Sequence, residues 1–273
     1  MDLYIKIVVF IFGAIIGSFL NVVIYRLHTG HSMNGRSHCM SCGKVLAWYE
    51  LFPVLSYIAL RGSCRGCASY IPSRYLVVEV LSGSLFVLVW NLFSTQPFLL
   101  AFNFVLVSVC MVMLVYDIRH MIIPDELTIA VGAIACIFIG YAIFQGSEYT
   151  VIATHGMAGA CATLFFWGLW YISKGRWIGF GDVKLAFPFG FMVGLEGVFS
   201  VVVLSFWIGA VISLTLLGLE RLSKRGKVRL HFLSSPITIK SEVPFAPFFI
   251  TGFLLVHLIH ADIFTITYAL FFQ

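Results

Sequence analysis

Asp117 and Asp182 stand at the edges of long apolar runs, and Cys39, Cys42, Cys64 and Cys67 form two C-x-x-C pairs in the longest polar stretch of the chain. Asp117 lies in Y-D-I-R-H-M-I-I-P-D-E-L-T, residues 116–128, and Asp182 in G-F-G-D-V-K-L, residues 179–185. Carboxylates this close to hydrocarbon are costly and therefore functional candidates. Two that face each other cannot both ionise easily, so one stays protonated while the other acts as a base. Such a pair can deprotonate water and polarise a peptide carbonyl, which is acid–base catalysis of amide hydrolysis. Gly179 and Gly181 would allow an irregular backbone and the close approach of a substrate chain. Taken singly, each aspartate has a plainer reading. Asp117 could flank a helix end beside Arg119, and Asp182 could be an N-cap or first-turn residue. Asp125, between them in sequence, reads as structural.

The two cysteine pairs are separated by 21 residues. Two such knuckles supply four thiolates for a tetrahedral zinc, although the gap is slightly longer than the usual template. Gly43, Gly62 and Gly66 supply turn residues, and Lys44, Arg61 and Arg65 would lower the thiol pKa values. The rival is a pair of redox disulfides. A cytoplasmic location argues against it, and a metal explains how so short a segment could fold without a core. His28, His31 and His38 read as exposed loop histidines, and Cys110, Cys136 and Cys161 as small buried thiols in apolar runs.

These residues need a membrane scaffold. The 273-residue chain is 60% hydrophobic and 11% charged, with a mean hydropathy of +1.00. A soluble domain cannot hide that much apolar surface, and long unbroken runs exclude a β-barrel. Apolar runs at 3–25, 75–93, 97–116, 127–144, 150–172, 183–194, 198–219 and 244–260, the last with an apolar continuation to 272, predict about eight transmembrane helices. The first lacks a cleavage site and reads as a retained helix. The fold class is an all-α polytopic membrane protein with a small cytoplasmic zinc-binding domain between helices 1 and 2. Its parts are a first helix (1–25), the cysteine domain (26–74) and a membrane-embedded remainder (75–273). Every second connection carries Lys or Arg, with Arg119 alone in the one after the third span, while 94–96, 145–149 and 195–197 have none. The positive-inside rule puts the basic connections in the cytoplasm and the N-terminus outside, so both aspartates fall at the cytoplasmic border. The net charge of +5 is explained by this pattern and implies no nucleic acid.

G-x-G-D followed by Lys184-Leu185, with Asp117 ahead of I-P-D-x-L-T, resembles the type IV prepilin peptidase family, aspartyl proteases of the G-x-G-D class. The resemblance extends to G-S-F-L-N-V-V-I-Y-R-L at 17–27, P-V-L-S-Y at 53–57, Arg61-Gly62, Ser73-Arg74-Tyr75 with Glu79, and P-F-A-P-F at 244–248. His28, Leu76 and the Leu51-Phe52 pair depart from the family pattern without touching aspartates or cysteines. The resemblance implies that Asp117 and Asp182 are the catalytic pair. It also implies that prepilins or pseudopilins are the substrates at a bacterial inner membrane. Retention of all four cysteines implies a second activity, N-methylation of the new N-terminus from S-adenosylmethionine. Glu79 is a candidate for that chemistry, its plainer reading being a partner for Arg74. With Gly179, Gly181 and Lys184 it completes the candidate substrate-binding set.

Two other classes are separable. A transporter using Asp117, Asp182 and Lys184 as a polar path should show matching broken helices in two related halves, and no such repeat is visible. A thiol oxidoreductase would lack bound zinc.

Overall fold

The computed structural model describes residues 2–27, 35–224 and 244–263. His28, His31, most of the basic connection 221–243 and any helix beyond Ile263 lie outside them. The chain forms two compact units that meet between Tyr116 and Asp117.

The first unit contains α1 (Asp2–Arg26), a 3-10 turn (Trp48–Leu51), α2 (Leu55–Ala59), α3 (Arg74–Phe93) and most of α4 (Pro97–His120). α1 and α3 pack through small residues. A Cβ at Gly13 would lie 2.7 Å from Phe86, one at Gly17 would lie 2.9 Å from Ser82, and one at Gly83 would lie 2.8 Å from Phe10. Close backbone approach is how membrane helices associate when lipid removes the hydrophobic drive. Phe86 then stacks on Phe104 of α4 at 4.3 Å.

The second unit holds the end of α4, α5 (Asp125–Phe144), α6 (Thr150–Ser173), α7 (Phe180–Lys224) and α8 (Ala246–Ile259). α7 is broken at Gly194, whose φ of 71° and ψ of −177° are non-helical. His155 of α6 donates from Nδ1 to the Phe191 carbonyl at 2.7 Å, recovering an acceptor beside the break. Gly190 is needed because a Cβ there would lie 2.9 Å from the Ala158 carbonyl. α8 closes the unit through an aromatic core in which Phe189 stacks on Phe253 at 4.0 Å and Phe166 meets Phe249 at 4.7 Å.

Six helices among the described residues are long and apolar enough to cross a membrane. Divided at Gly194, and with α8 added, the apolar helices correspond to the eight spans expected. The difference lies at 195–197, which reads as a connection in sequence but continues as helix after the glycine. Among the described residues there is no named strand, only two isolated bridges. The chain is an all-α, multi-pass membrane protein.

Candidate active site and cysteine centre

Three helix ends of the second unit carry the aspartates and the residues beside them. α4 runs past Tyr116 to His120, so Asp117 sits within its last turn. Met121, with a φ of 53°, turns the chain into Ile122-Ile123-Pro124, and α5 begins at Asp125. Ile123 then packs on the start of α7, where a Cβ at Gly181 would lie 3.1 Å from it. Lys184 of α7 pairs with Asp125 of α5 at 2.6 Å and lies 5.3 Å from the Phe180 ring. Asp125 is thus engaged by Lys184, joining the starts of α5 and α7.

Asp117 and Asp182 are each only 5% exposed and lie within electrostatic reach of one another. Asp182 Oδ2 accepts the Gly179 N–H at 3.2 Å, half of a capping box at the start of α7. Its Oδ1 is buried with no hydrogen-bond partner among the described residues. No Lys or Arg there pairs with either carboxylate. A buried carboxylate oxygen left unpaired calls for a functional account. The glycines act differently from the expectation. Neither takes a left-handed φ, and α7 starts regularly at Phe180. Gly181 instead admits Ile123, and Gly179 presents its amide to Asp182.

In the first unit the cysteine segment builds two knuckles with the same backbone. Cys39 N–H donates to the Lys44 carbonyl and Gly43 N–H to the Cys39 carbonyl. The equivalent bonds recur twenty-five residues later, from Cys64 to Ser69 and from Ala68 to Cys64. His38 bridges Val45 just as Ser63 bridges Tyr70. The sequence hides this local repeat because only the cysteines and a left-handed residue behind each pair are shared. That residue is Gly43 (φ 69°) in one knuckle and Ala68 (φ 56°) in the other. A left-handed alanine is strained by about 1 kcal/mol or more. Ala68→Gly should therefore raise the midpoint at which heating releases zinc loaded onto the four cysteines to a colorimetric chelator; a lowered midpoint would show the strain reading to be wrong.

The four sulfurs lie within 4.8 Å of one another, and Cys39 and Cys67 are 3.9 Å apart. A tetrahedral zinc with Zn–S bonds of about 2.3 Å requires sulfurs about 3.8 Å apart, so the donor set fits that ion. The amides of Cys42 and Ser41 lower the Cys39 thiol to about 6. Cys42 goes the other way, to about 11: the Lys44 amide lowers it, but the Cys39 and Cys67 sulfurs outweigh that pull. Thiols so crowded cannot all ionise without a cation among them. Lys44 and Arg65, expected to tune these thiols, have other partners. Lys44 binds the buried Glu50 at 2.9 Å, and Arg65 lies 5.5 Å from the Tyr49 ring.

Glu79 is buried in α3 and accepts the Val54 N–H at 2.8 Å, with the Ser18 side chain also bonded to it. Val54 has a φ of 63°, a strained conformation for a β-branched residue. Arg74, the partner expected for Glu79, lies 5.3 Å from the Tyr75 ring instead. Glu79 lines a cavity of about 390 Å³ together with Asn21, Arg26, Tyr57, Cys39 and Cys64. Sequence reasoning missed Ser18 and Asn21. The available signal was a polar residue within an apolar helix, and Asn21 is held there by a bond to the Tyr75 carbonyl at 3.2 Å.

Two family models match the chain: the bacterial peptidase A24 N-terminal domain over residues 11–93 and the type IV leader peptidase family over residues 104–214. The sequence is 32% identical over 209 residues to a prepilin leader peptidase/N-methyltransferase of Myxococcus xanthus, covering 76% of this chain and 62% of that protein. It is 29% identical over 272 residues to the protein of that name from Burkholderia pseudomallei, covering 89% and 81%. With the Aeromonas salmonicida protein of the same name it shares 30% over 280 residues, covering 88% and 86%. No solved structure matches. Aspartate pair, cysteine centre and sequence relationship agree: the chain belongs to the type IV leader peptidase family.

Proposed function

We propose that this protein removes the leader peptide from type IV prepilins or pseudopilins and then methylates the new N-terminus. The observation that carries the reading is the pair of buried aspartates, Asp117 and Asp182, with one Asp182 oxygen unpartnered among the described residues. One carboxylate takes a proton from water as the water attacks the scissile carbonyl. The other, protonated, donates to the carbonyl oxygen, and a proton then passes to the leaving amine as the C–N bond breaks. Gly179 steadies Asp182 through its amide, Gly181 makes room for Ile123, and Lys184 lines the approach of the substrate chain. The substrate helix stays in the bilayer while the leader remains in the cytoplasm, so cleavage falls at the end of that helix.

The enzyme sits in the bacterial inner membrane with its N-terminus outside and the cysteine domain (26–74) in the cytoplasm, between helix 1 (1–25) and the embedded remainder (75–273). Cys39, Cys42, Cys64 and Cys67 hold a structural zinc, which supplies a fixed core to a segment without one. S-adenosylmethionine supplies the methyl group. The 390 Å³ cavity of the first unit has room for a ligand of that class. There Glu79 would orient the cationic amine, and Arg26 could meet a carboxylate.

Release of the leader from a purified prepilin by detergent-solubilised wild-type protein tests the reading; failure on several prepilins would return attention to a transporter. Lys184 permits a finer test. Its pairing with Asp125 is partly exposed and is worth about 1 kcal/mol or less to stability. Lys184→Met should raise KM several-fold with little change in melting temperature. If Asp125→Asn raises KM equally, Lys184 acts through the ion pair and not through the substrate.

A further inference from the structure

The stretch between the two knuckles turns apolar side chains outward. Trp48 is 73% exposed, Leu55 65% and Ile58 61%, with Tyr49 and Phe52 about half exposed. Leu55 and Ile58 share one face of α2, and the 3-10 turn that carries Trp48 packs on α2. Trp48 meets Tyr49 at 5.8 Å and Phe52 at 6.1 Å, both edge-on. Arg65 continues the patch over the Tyr49 ring. Two helices of four and five residues are too short to enter a bilayer upright.

Charge selects the partner. Residues 35–73 contain one carboxylate, Glu50, which is buried and bound to Lys44. Arg36, Arg61 and Arg65 are exposed. The segment is therefore an apolar face flanked by cations, with no exposed acid among these residues. Both of its ends are fixed to spanning helices, at Arg26 of α1 and Arg74 of α3. It can never be far from the lipid headgroups, which makes their local concentration high.

We propose that this face is a membrane-docking surface, with Trp48, Phe52, Leu55 and Ile58 seated at the headgroup–acyl boundary of an anionic bilayer and Arg61 and Arg65 on lipid phosphates. Tryptophan and tyrosine favour that boundary, and aliphatic residues beside basic ones are the pattern of interfacial helices. Anionic headgroups attract the arginines within a Debye length. An acidic protein partner would also meet the arginines, but it would have to find the face, whereas the tether supplies lipid permanently. Docking would hold the cysteine segment against the border at which α1 and α3 leave the bilayer. The inference does not depend on the assignment of the aspartates.

The test is hydrogen exchange and tryptophan quenching on the full chain. It is reconstituted in nanodiscs of phosphatidylethanolamine and phosphatidylglycerol, three to one, in phosphatidylcholine discs and in detergent. Residues 46–60 should exchange about tenfold more slowly in the anionic discs than in detergent. Lipids brominated near the carbonyl end should quench a blue-shifted emission that Trp48→Phe removes. Leu55→Glu with Ile58→Glu should abolish the protection while zinc content stays unchanged, which separates lost docking from lost folding. Quenching of Trp48 by aqueous iodide in anionic discs as strongly as in detergent would overturn the proposal. So would protection that appears only when prepilin is added, which would assign the face to a protein partner.

Discussion

Asp117→Asn and Asp182→Asn are each expected to lower leader release by a factor of about 10³ or more, since a positioned acid or base contributes about 10²–10⁴ and the two carboxyls act as one unit. The double variant should be barely worse than either single one, because removing one member already disables the other. Stability should move the opposite way. Asp182 receives the Gly179 amide through Oδ2, a bond that an asparagine carbonyl can keep. No cation compensates either buried carboxylate among the described residues, so a neutral side chain removes a desolvation cost. The variants should therefore melt at or above the wild-type temperature in detergent. Single-turnover cleavage of a purified prepilin and thermal unfolding of the same samples check both halves. Loss of less than tenfold in either variant would make the pair structural. Loss of activity together with a lowered melting temperature would assign the aspartates to the fold instead of the chemistry.

The pair was legible in sequence because membrane depth can be counted along an apolar run. Residues 97–116 and 183–194 bracket Asp117 and Asp182 at one border, whatever helices do in between. What joins them was not legible. Ile123 against Gly181 and Lys184 on Asp125 are contacts between helix ends far apart in sequence, and a spacing argument cannot see them. The same limit explains Glu79. Its expected partner, Arg74, is five residues away and so on a different side of α3, and the carboxylate is taken by the Val54 amide across a loop. Gly194 illustrates a different limit. The apolar runs place a connection at 195–197, but a glycine in such a run looks like any small residue for helix packing, and only the φ of 71° shows that the break is at Gly194 itself with helix continuing after it. The cysteine centre falls between these cases. The gathering of the four cysteines into one cluster follows from spacing alone, but the tuning of the thiols does not. The amides of Cys42 and Ser41 lower Cys39, whereas the basic side chains chosen from sequence go elsewhere.

Replacing Cys42 with serine is expected to bring zinc from about one ion per chain to nearly none, because a structural site binds by about 10–16 kcal/mol only with its full ligand set. The segment has little else to hold it. Of the segment's four cysteines only Cys64 is buried, and the adjoining 3-10 turn buries only Glu50, which pairs with the exposed Lys44. Loss of the ion should therefore open residues 35–73 to hydrogen exchange, while α1 and α3 stay protected through their glycine contacts. Acid should do the same reversibly, since protons compete with metal for the thiolates. Glu50 gives the sign of the remaining pH effect. The Ala47 amide, and then Lys44, hold its pKa below the ordinary range. Its stabilisation is complete above the unfolded value and fades only as pH falls through the lowered one. Zinc release between neutral pH and about 5 therefore belongs to the thiols, with Glu50 still charged throughout that window. Metal analysis after dialysis at stepped pH, with exchange measured on the same samples, checks the order of events. If residues 35–73 stay protected after the ion has gone, the segment folds without it and the zinc is not structural.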